Sequence, residues 1–182
     1  PLDVPGDPAR LSALAAGWIA VFQGTPLLMQ LFVAYFGLPL LGFDVPAWAA
    51  VGFALTAHAS AFLGEIWRGA IQAVPPGEIE AARALGMSRA QAMLYIILPR
   101  AARIGLPAYS NEVILMLKAS ALASTVTLLE LTGMARTIIA RTYLPVEIFF
   151  AAGLFYLVIA FVLVRAFRLL ERWLRVDACQ GR

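Results

Sequence analysis

Charged side chains are missing from three long stretches of this chain: none lies between Arg10 and Asp44, between Asp44 and Glu65, or between Glu147 and Arg165. A helix needs about 17–25 apolar residues to cross a bilayer, so each gap is near or above the length of one crossing. A fourth apolar stretch, Ile104–Leu129, is long enough but carries Glu112 and Lys118. The expectation is an all-α, polytopic membrane bundle with four spans near 12–41, 46–66, 105–128 and 147–167. It forms one domain over 1–175, followed by a tail at 176–182. Composition agrees: 62% of residues are hydrophobic and 14% charged, whereas a soluble domain is roughly half apolar and a quarter charged. The mean hydropathy of +0.82 points the same way.

Orientation follows from the arginines. Arg68, Arg83, Arg89, Arg100 and Arg103 fall between the second and third spans, and Arg165, Arg168, Arg172 and Arg175 follow the fourth. Basic loops stay in the cytoplasm, so both regions, the C-terminal tail included, are expected there. The turn around Asp44-Val45-Pro46 and the segment from Glu130 to Glu147 are then external. Trp67 and Trp173, near the ends of spans, read as interfacial anchors. The basic tail needs no nucleic acid to explain it, since anionic headgroups attract such residues by about 1 kcal/mol each. Cys179 is the single cysteine and reads as an inert thiol. Neither a metal cluster, a cofactor motif nor a catalytic constellation is expected, and the chain has no phosphate-binding loop of the Gly-x-x-x-x-Gly-Lys-Ser/Thr kind.

Between the second and third spans lies a polar hairpin over residues 75–99. Pro75-Pro76-Gly77 stops what precedes it, and Glu78 and Glu80 fall in the first turns of a new helix, where carboxylates suit the positive end of the dipole. Gly86 is placed as a left-handed C-cap, and Ser88 with Gln91 forms the pattern of a capping box that opens a second helix. Pro99 is expected to bend or end that helix. Ala81, Ala82, Ala84, Ala90 and Ala92 leave little bulk, so a partner's backbone can come close. The alternative is a hairpin that packs on its own chain.

The spacing Glu80-Ala81-Ala82, three residues, Gly86, nine residues, Ile96, one residue, Leu98-Pro99 resembles the EAA loop of ABC-importer permease subunits. Gly24-Thr25-Pro26-Leu27-Leu28-Met29-Gln30 is similar to the Arg-Gly-Thr-Pro-Leu motif of the polar amino acid uptake branch, with Gln23 in place of the usual arginine. Ala61 to Ile71, with Glu65, Arg68, Gly69 and Ala70, is similar to another motif of that branch, with Phe62 for its tyrosine. Leu106 to Leu117 resembles the histidine, basic amino acid and opine permease subgroup. The resemblance implies a type I ABC importer permease in a bacterial inner membrane, transporting polar, in particular basic, amino acids or opines. It implies as partners a separate ATP-binding subunit contacted through Glu80, Ala81, Ala82, Gly86, Ile96, Leu98 and Pro99, a second permease subunit, identical or related, and a periplasmic solute-binding protein. Such permeases usually have five spans. The start at Pro1, in a turn-rich segment unlike a signal peptide, carries the expectation that a first helix is missing.

Glu112 and Lys118 lie inside a span, where a charge at the centre costs on the order of 3 kcal/mol, so each is expected to face protein or water. At 100° per residue Asn111, Leu115, Lys118 and Leu122 share one face, with Glu112 about a third of a turn away. Beside the small residues Ala119, Ser120, Ala121, Ala123 and Ser124, this stripe reads as pathway lining. Lys118 would meet a solute's carboxylate, and Glu112 and Asn111 its ammonium or guanidinium group. An interhelical Glu112–Lys118 pair, or a hydrated Glu112 near the cytoplasmic end, is the packing alternative. His58 receives no role, Thr25-Pro26 permits a kink, and Gln23 and Gln30 are equally well explained by facing a neighbouring helix. Three rivals to an importer subunit remain at this level: an ATP-independent channel or secondary transporter, a membrane scaffold, and a nonfunctional truncated permease.

Overall fold

The computed structural model describes residues 8–176, with side chains over 11–174. The turn-rich N-terminal segment, residues 177–182 with Cys179, and the Arg10 and Arg175 side chains lie outside the described residues. The described residues are helical, without strands. In chain order they form α1 (Pro8–Gly24), α2 (Leu27–Phe32), a π-helical turn (Val33–Gly37), α3 (Leu38–Leu40), α4 (Ala47–Gln72), α5 (Pro76–Ala84) and α6 (Arg89–Ala92). A second π-helical turn (Met93–Ile97), α7 (Leu98–Ala119), a 3₁₀ segment (Ser120–Val126), α8 (Leu131–Thr142) and α9 (Pro145–Val176) complete the series. They pack as two units, one of residues 8–62 with 118–153, the other of 63–117 with 154–176. α4, α7 and α9 each contribute one end to either unit.

α4 and α9 are long and apolar enough to cross a membrane as single helices. The first expected span, 12–41, is instead broken: Leu11–Gly24 and Leu27–Leu40 meet at 105°. Pro26 cannot donate to the α1 backbone, and its ring excludes the carbonyl one turn earlier, so the helix stops at Gly24 and restarts at Leu27. Pro99 does not end its helix. The helix continues through it after the wider turn at Met93–Ile97, whose i→i−5 register carries the Leu98 N–H to Met93 O just before the proline. Pro39 follows the Val33–Gly37 turn in the same way.

Small residues carry the packing. In the first unit, the buried positions of α4 include Ala50, Ala54, Ala57 and Ala61, three or four apart and so on one face. Such a face lets helices approach closely, which replaces the hydrophobic drive that lipid removes. In the second unit, Ala70 and Val74 from the end of α4 and its following turn cluster with Ile97 and Ala101, and Ile79 and Met93 cover them. Gly105 of α7 sits against α4 so tightly that a β-carbon there would stand 3.0 Å from Ala70 Cβ and 3.5 Å from the Trp67 ring. Trp67, Tyr109 and Phe167 continue this seam as tilted and edge-on rings, with centroids 6.1 and 6.0 Å apart.

The segment after Glu130 is a capped helix. The Glu130 carboxylate accepts from the backbone N–H groups of Thr132 and Gly133, both at 2.8 Å, and so supplies two of the acceptors that the start of α8 lacks.

Candidate functional site

The hairpin is built from local capping chemistry. α5 starts at Pro76 with Glu78 in its first turn. At its other end Gly86 takes φ +75°, where the amide of Met87 donates to Ala82 O at 3.1 Å and that of Gly86 to Arg83 O at 3.0 Å. This paired arrangement closes a helix on a left-handed residue. Two residues later the Ser88 hydroxyl accepts from Gln91 N at 3.3 Å, and the Gln91 side chain accepts from Ser88 N at 2.8 Å. α5 and α6 are thus fixed at the turn from both sides.

Of the expected coupling residues, Glu80, Ala81, Gly86, Leu98 and Pro99 are exposed and Ile96 is half-buried. Ala82 is a correction to the surface reading. It is fully buried, as is Ala92 nearly so, so its small side chain serves the hairpin's own packing and not its outer face. The outer face carries large apolar groups instead: Leu85 is 80% exposed, Tyr95 66% and Leu94 58%. Pro99 and Ile96 line an open pocket of about 350 Å³ with Glu78, Tyr95, Arg100 and Arg103. Arg100 Nε lies 3.2 Å from Glu78 Oε1, an ion pair too poorly aligned to count as a hydrogen bond. Upstream, Arg68 grips both oxygens of Glu65 and reaches Gln72 Oε1 at 2.9 Å, along the exposed last turns of α4.

The intramembrane residues separate. Asn111 and Lys118 are exposed on one side of the helix and Ser120 is half-buried where it turns to 3₁₀. Glu112 is 6% exposed. It stands in register with Ala101 and Gly105, on the buried face of α7. Within its own unit Glu112 makes no hydrogen bond or ion pair among the described residues. Lys118 stands six positions further along the helix, about 9 Å of rise, and on a different face. The two charges therefore do not share one stripe.

Sequence reasoning missed a polar elbow in the first unit. Gln30 reaches back across the α1–α2 break, donating to Phe22 O at 2.8 Å, Thr25 O at 3.0 Å and Thr25 Oγ1 at 2.9 Å. His58 Nδ1 meets Gln30 Oε1 at 3.0 Å, and Gln23 donates to Ala61 O at 3.4 Å. The signal was available in outline: a proline inside a span strands carbonyl groups, and a long amide side chain a few residues on can reach them. Tyr35, presented by the π-helical turn, meets Thr127 Oγ1 at 3.2 Å, and Thr127 itself holds a left-handed φ of +66° after the 3₁₀ segment.

Residues 7–176 match the family described as the binding-protein-dependent transport system inner membrane component. The chain is similar to the octopine transport system permease protein OccM of Rhizobium meliloti, with 46% identity over 85% of this chain and 66% of that protein. It is also similar to the histidine/lysine/arginine/ornithine transport system permease protein HisM of Escherichia coli K12, with 47% identity over 85% of this chain and 70% of that one. It thus spans about two thirds of the length of these curated relatives. Among solved structures, an amino acid ABC transporter crystallised with histidines superposes at a TM-score of 0.85, with 41% identity, over 92% of this chain and 78% of that one.

Proposed function

Since the chain belongs to the family of binding-protein-dependent transport system inner membrane components, we propose that it is the membrane-spanning subunit of an ATP-driven importer for basic amino acids or opines. The observation that carries the reading is the hairpin. Its two short helices are locked by the Gly86 and Ser88 caps, and it presents Glu80, Ala81, Leu98 and Pro99 beside the exposed Leu85, Leu94 and Tyr95. An ordered polar hairpin with an apolar outer face suits a separate ATP-hydrolysing subunit, whose movement it would pass to α7. Ala82 supports this from within, by letting the hairpin close on itself.

The solute class rests on the likeness to permeases for octopine and for histidine, lysine, arginine and ornithine. In this reading the exposed Lys118 meets a carboxylate, Asn111 and Ser120 contribute polar lining, and Glu112 favours a cationic group. A second permease subunit completes the pathway, and a periplasmic binding protein delivers the solute. The arginine-rich hairpin and C-terminal end of α9 face the cytoplasm.

The test is to co-express the protein with an ATP-binding subunit and a periplasmic binding protein from the same organism, and to measure uptake of labelled arginine and octopine into proteoliposomes. Uptake should require ATP and the binding protein together. Uptake driven by an ion gradient without ATP, or failure to co-purify with the ATPase, would overturn the reading.

A further inference from the structure

At the α1–α2 break, Gln30 Nε2 faces three oxygens, Phe22 O, Thr25 O and Thr25 Oγ1. Two of them are carbonyls, which only accept, so the atom that meets them is nitrogen; turning the amide over would set oxygen against oxygen. Its surroundings therefore fix which way Gln30 points. Its Oε1 is left towards His58 Nδ1 at 3.0 Å. An amide oxygen only accepts as well, so the hydrogen in that bond belongs to His58 Nδ1. In a neutral imidazole Nε2 is then bare, and it makes no hydrogen bond among the described residues. Phe62 lies against the ring, with centroids 4.7 Å apart and planes inclined by 33°.

The bond joins elements distant in sequence. Gln30 belongs to the same broken segment as the carbonyls it satisfies, whereas His58 stands on α4 next to the buried Ala57. Without His58 the Gln30 side chain keeps only local partners and can turn with α2. With it, the break is referred to a long straight helix. On the other side of the break α1 is tied to α4 as well: Trp18 donates from its indole nitrogen to Ser60 Oγ at 3.0 Å and Gln23 to Ala61 O at 3.4 Å.

We propose that His58 is a positioning residue: held as the Nδ1–H tautomer, it donates to Gln30 and so fixes the 105° break that sets the courses of α1 and α2. Only the uptake arm of the test below rests on the transport reading.

His58 is the chain's single histidine. Labelling histidine in this chain alone with the NMR-active nitrogen isotope therefore reports one residue without assignment. In the membrane-embedded protein at neutral pH the spectrum should show a protonated Nδ1 and a bare Nε2, and Gln30→Leu should populate both tautomers. An Nε2–H tautomer in the wild type would overturn the proposal without any variant. For the break itself, spin labels at Ala15→Cys and Leu40→Cys, in a Cys179→Ser background, should give one narrow distance. His58→Asn, whose amide nitrogen can take the place of Nδ1, should keep it, and His58→Leu should broaden it at least twofold. An unchanged width in His58→Leu overturns the proposal. In uptake, His58→Leu should lower the maximal rate at least tenfold at unchanged half-saturation, with His58→Asn restoring at least half; wild-type rates in His58→Leu also overturn it. Should the wild type fail to transport, the importer reading falls, while the tautomer and distance arms still decide this proposal.

Discussion

Replacing Gly86 isolates the backbone's contribution to the hairpin. Its φ is +75°, yet an added β-carbon would meet nothing within 4 Å. Any penalty is therefore conformational and not a clash. A left-handed L-residue costs about 1–2 kcal/mol, and removing glycine stiffens the unfolded chain, which returns about 0.4–1 kcal/mol. Gly86→Ala should thus weaken the closed turn by about 1 kcal/mol, which corresponds to a roughly fivefold larger open population. Asparagine tolerates this region, so Gly86→Asn should cost less than alanine. The assay is hydrogen exchange at the amides of Gly86 and Met87, whose bonds to Arg83 O and Ala82 O close the turn, read beside ATPase co-purification. Exchange at both should rise about fivefold in Gly86→Ala, while the seam around Ala70 and Ala101 stays protected. Equal protection in wild type, alanine and asparagine variants would refute the argument, as would a global loss of protection.

The buried Ala82 and the exposed Ala81 should fail in different ways. Ala82→Asp places a charge in packed interior, costs several kcal/mol and should lower thermal stability, whereas Ala81→Asp should leave melting unchanged and reduce only ATPase association. Gly105→Ala sets two β-carbons 3.0 Å apart; overpacking of this kind costs about 1–3 kcal/mol, and the double variant Gly105→Ala/Ala70→Gly should recover most of it in a melting assay. Orientation is checked in a Cys179→Ser background: an impermeant thiol reagent on spheroplasts should modify Tyr143→Cys, a position 84% exposed, and not Ser88→Cys. In uptake competition with arginine, histidine and glutamine, Lys118→Met should weaken all three, and Glu112→Gln should narrow the preference for cationic solutes by a few kcal/mol at most; unchanged rates and ranking in both would remove them from the pathway.

The caps were legible because their chemistry is local. Gly86, Ser88 and Gln91 adopt the conformations that their spacing implies, since each needs only neighbours within a few residues. Which alanine of the hairpin turns inward was not legible, because a nine-residue helix with three alanines and a single large apolar residue gives no hydrophobic period to orient it. That the helix would run on past Pro99 was not legible for a related reason: a proline rule assumes regular α geometry before it, and the π-helical turn at Met93–Ile97 removes that premise. The separation of Glu112 from Lys118 followed from the helical period alone, but the burial of Glu112 required knowing that α7 turns its Ala101 and Gly105 face inward. The sharpness of the Thr25–Pro26 break lay beyond local reasoning, since part of what holds it comes from His58 on another helix.

Both units meet the same physical demand by different means. Where a helix ends or breaks, four donors or four acceptors lose their partners, and in a membrane protein water is not always there to replace them. At the elbow the carbonyls of Phe22 in α1 and of Thr25 in the break take their donor from Gln30, itself referred to α4 through His58. At the hairpin the carbonyls of α5 take theirs from the turn at Gly86 and Met87, and the amides of α6 find Ser88. The consequence for coupling follows from entropy. Ordering one residue's backbone costs about 1–2 kcal/mol, so a hairpin that had to fold on its partner would lose several times that from the docking energy. Here the caps complete that ordering within the chain, so that in the importer reading proposed above a push on α5 would meet a closed turn and pass on to α7.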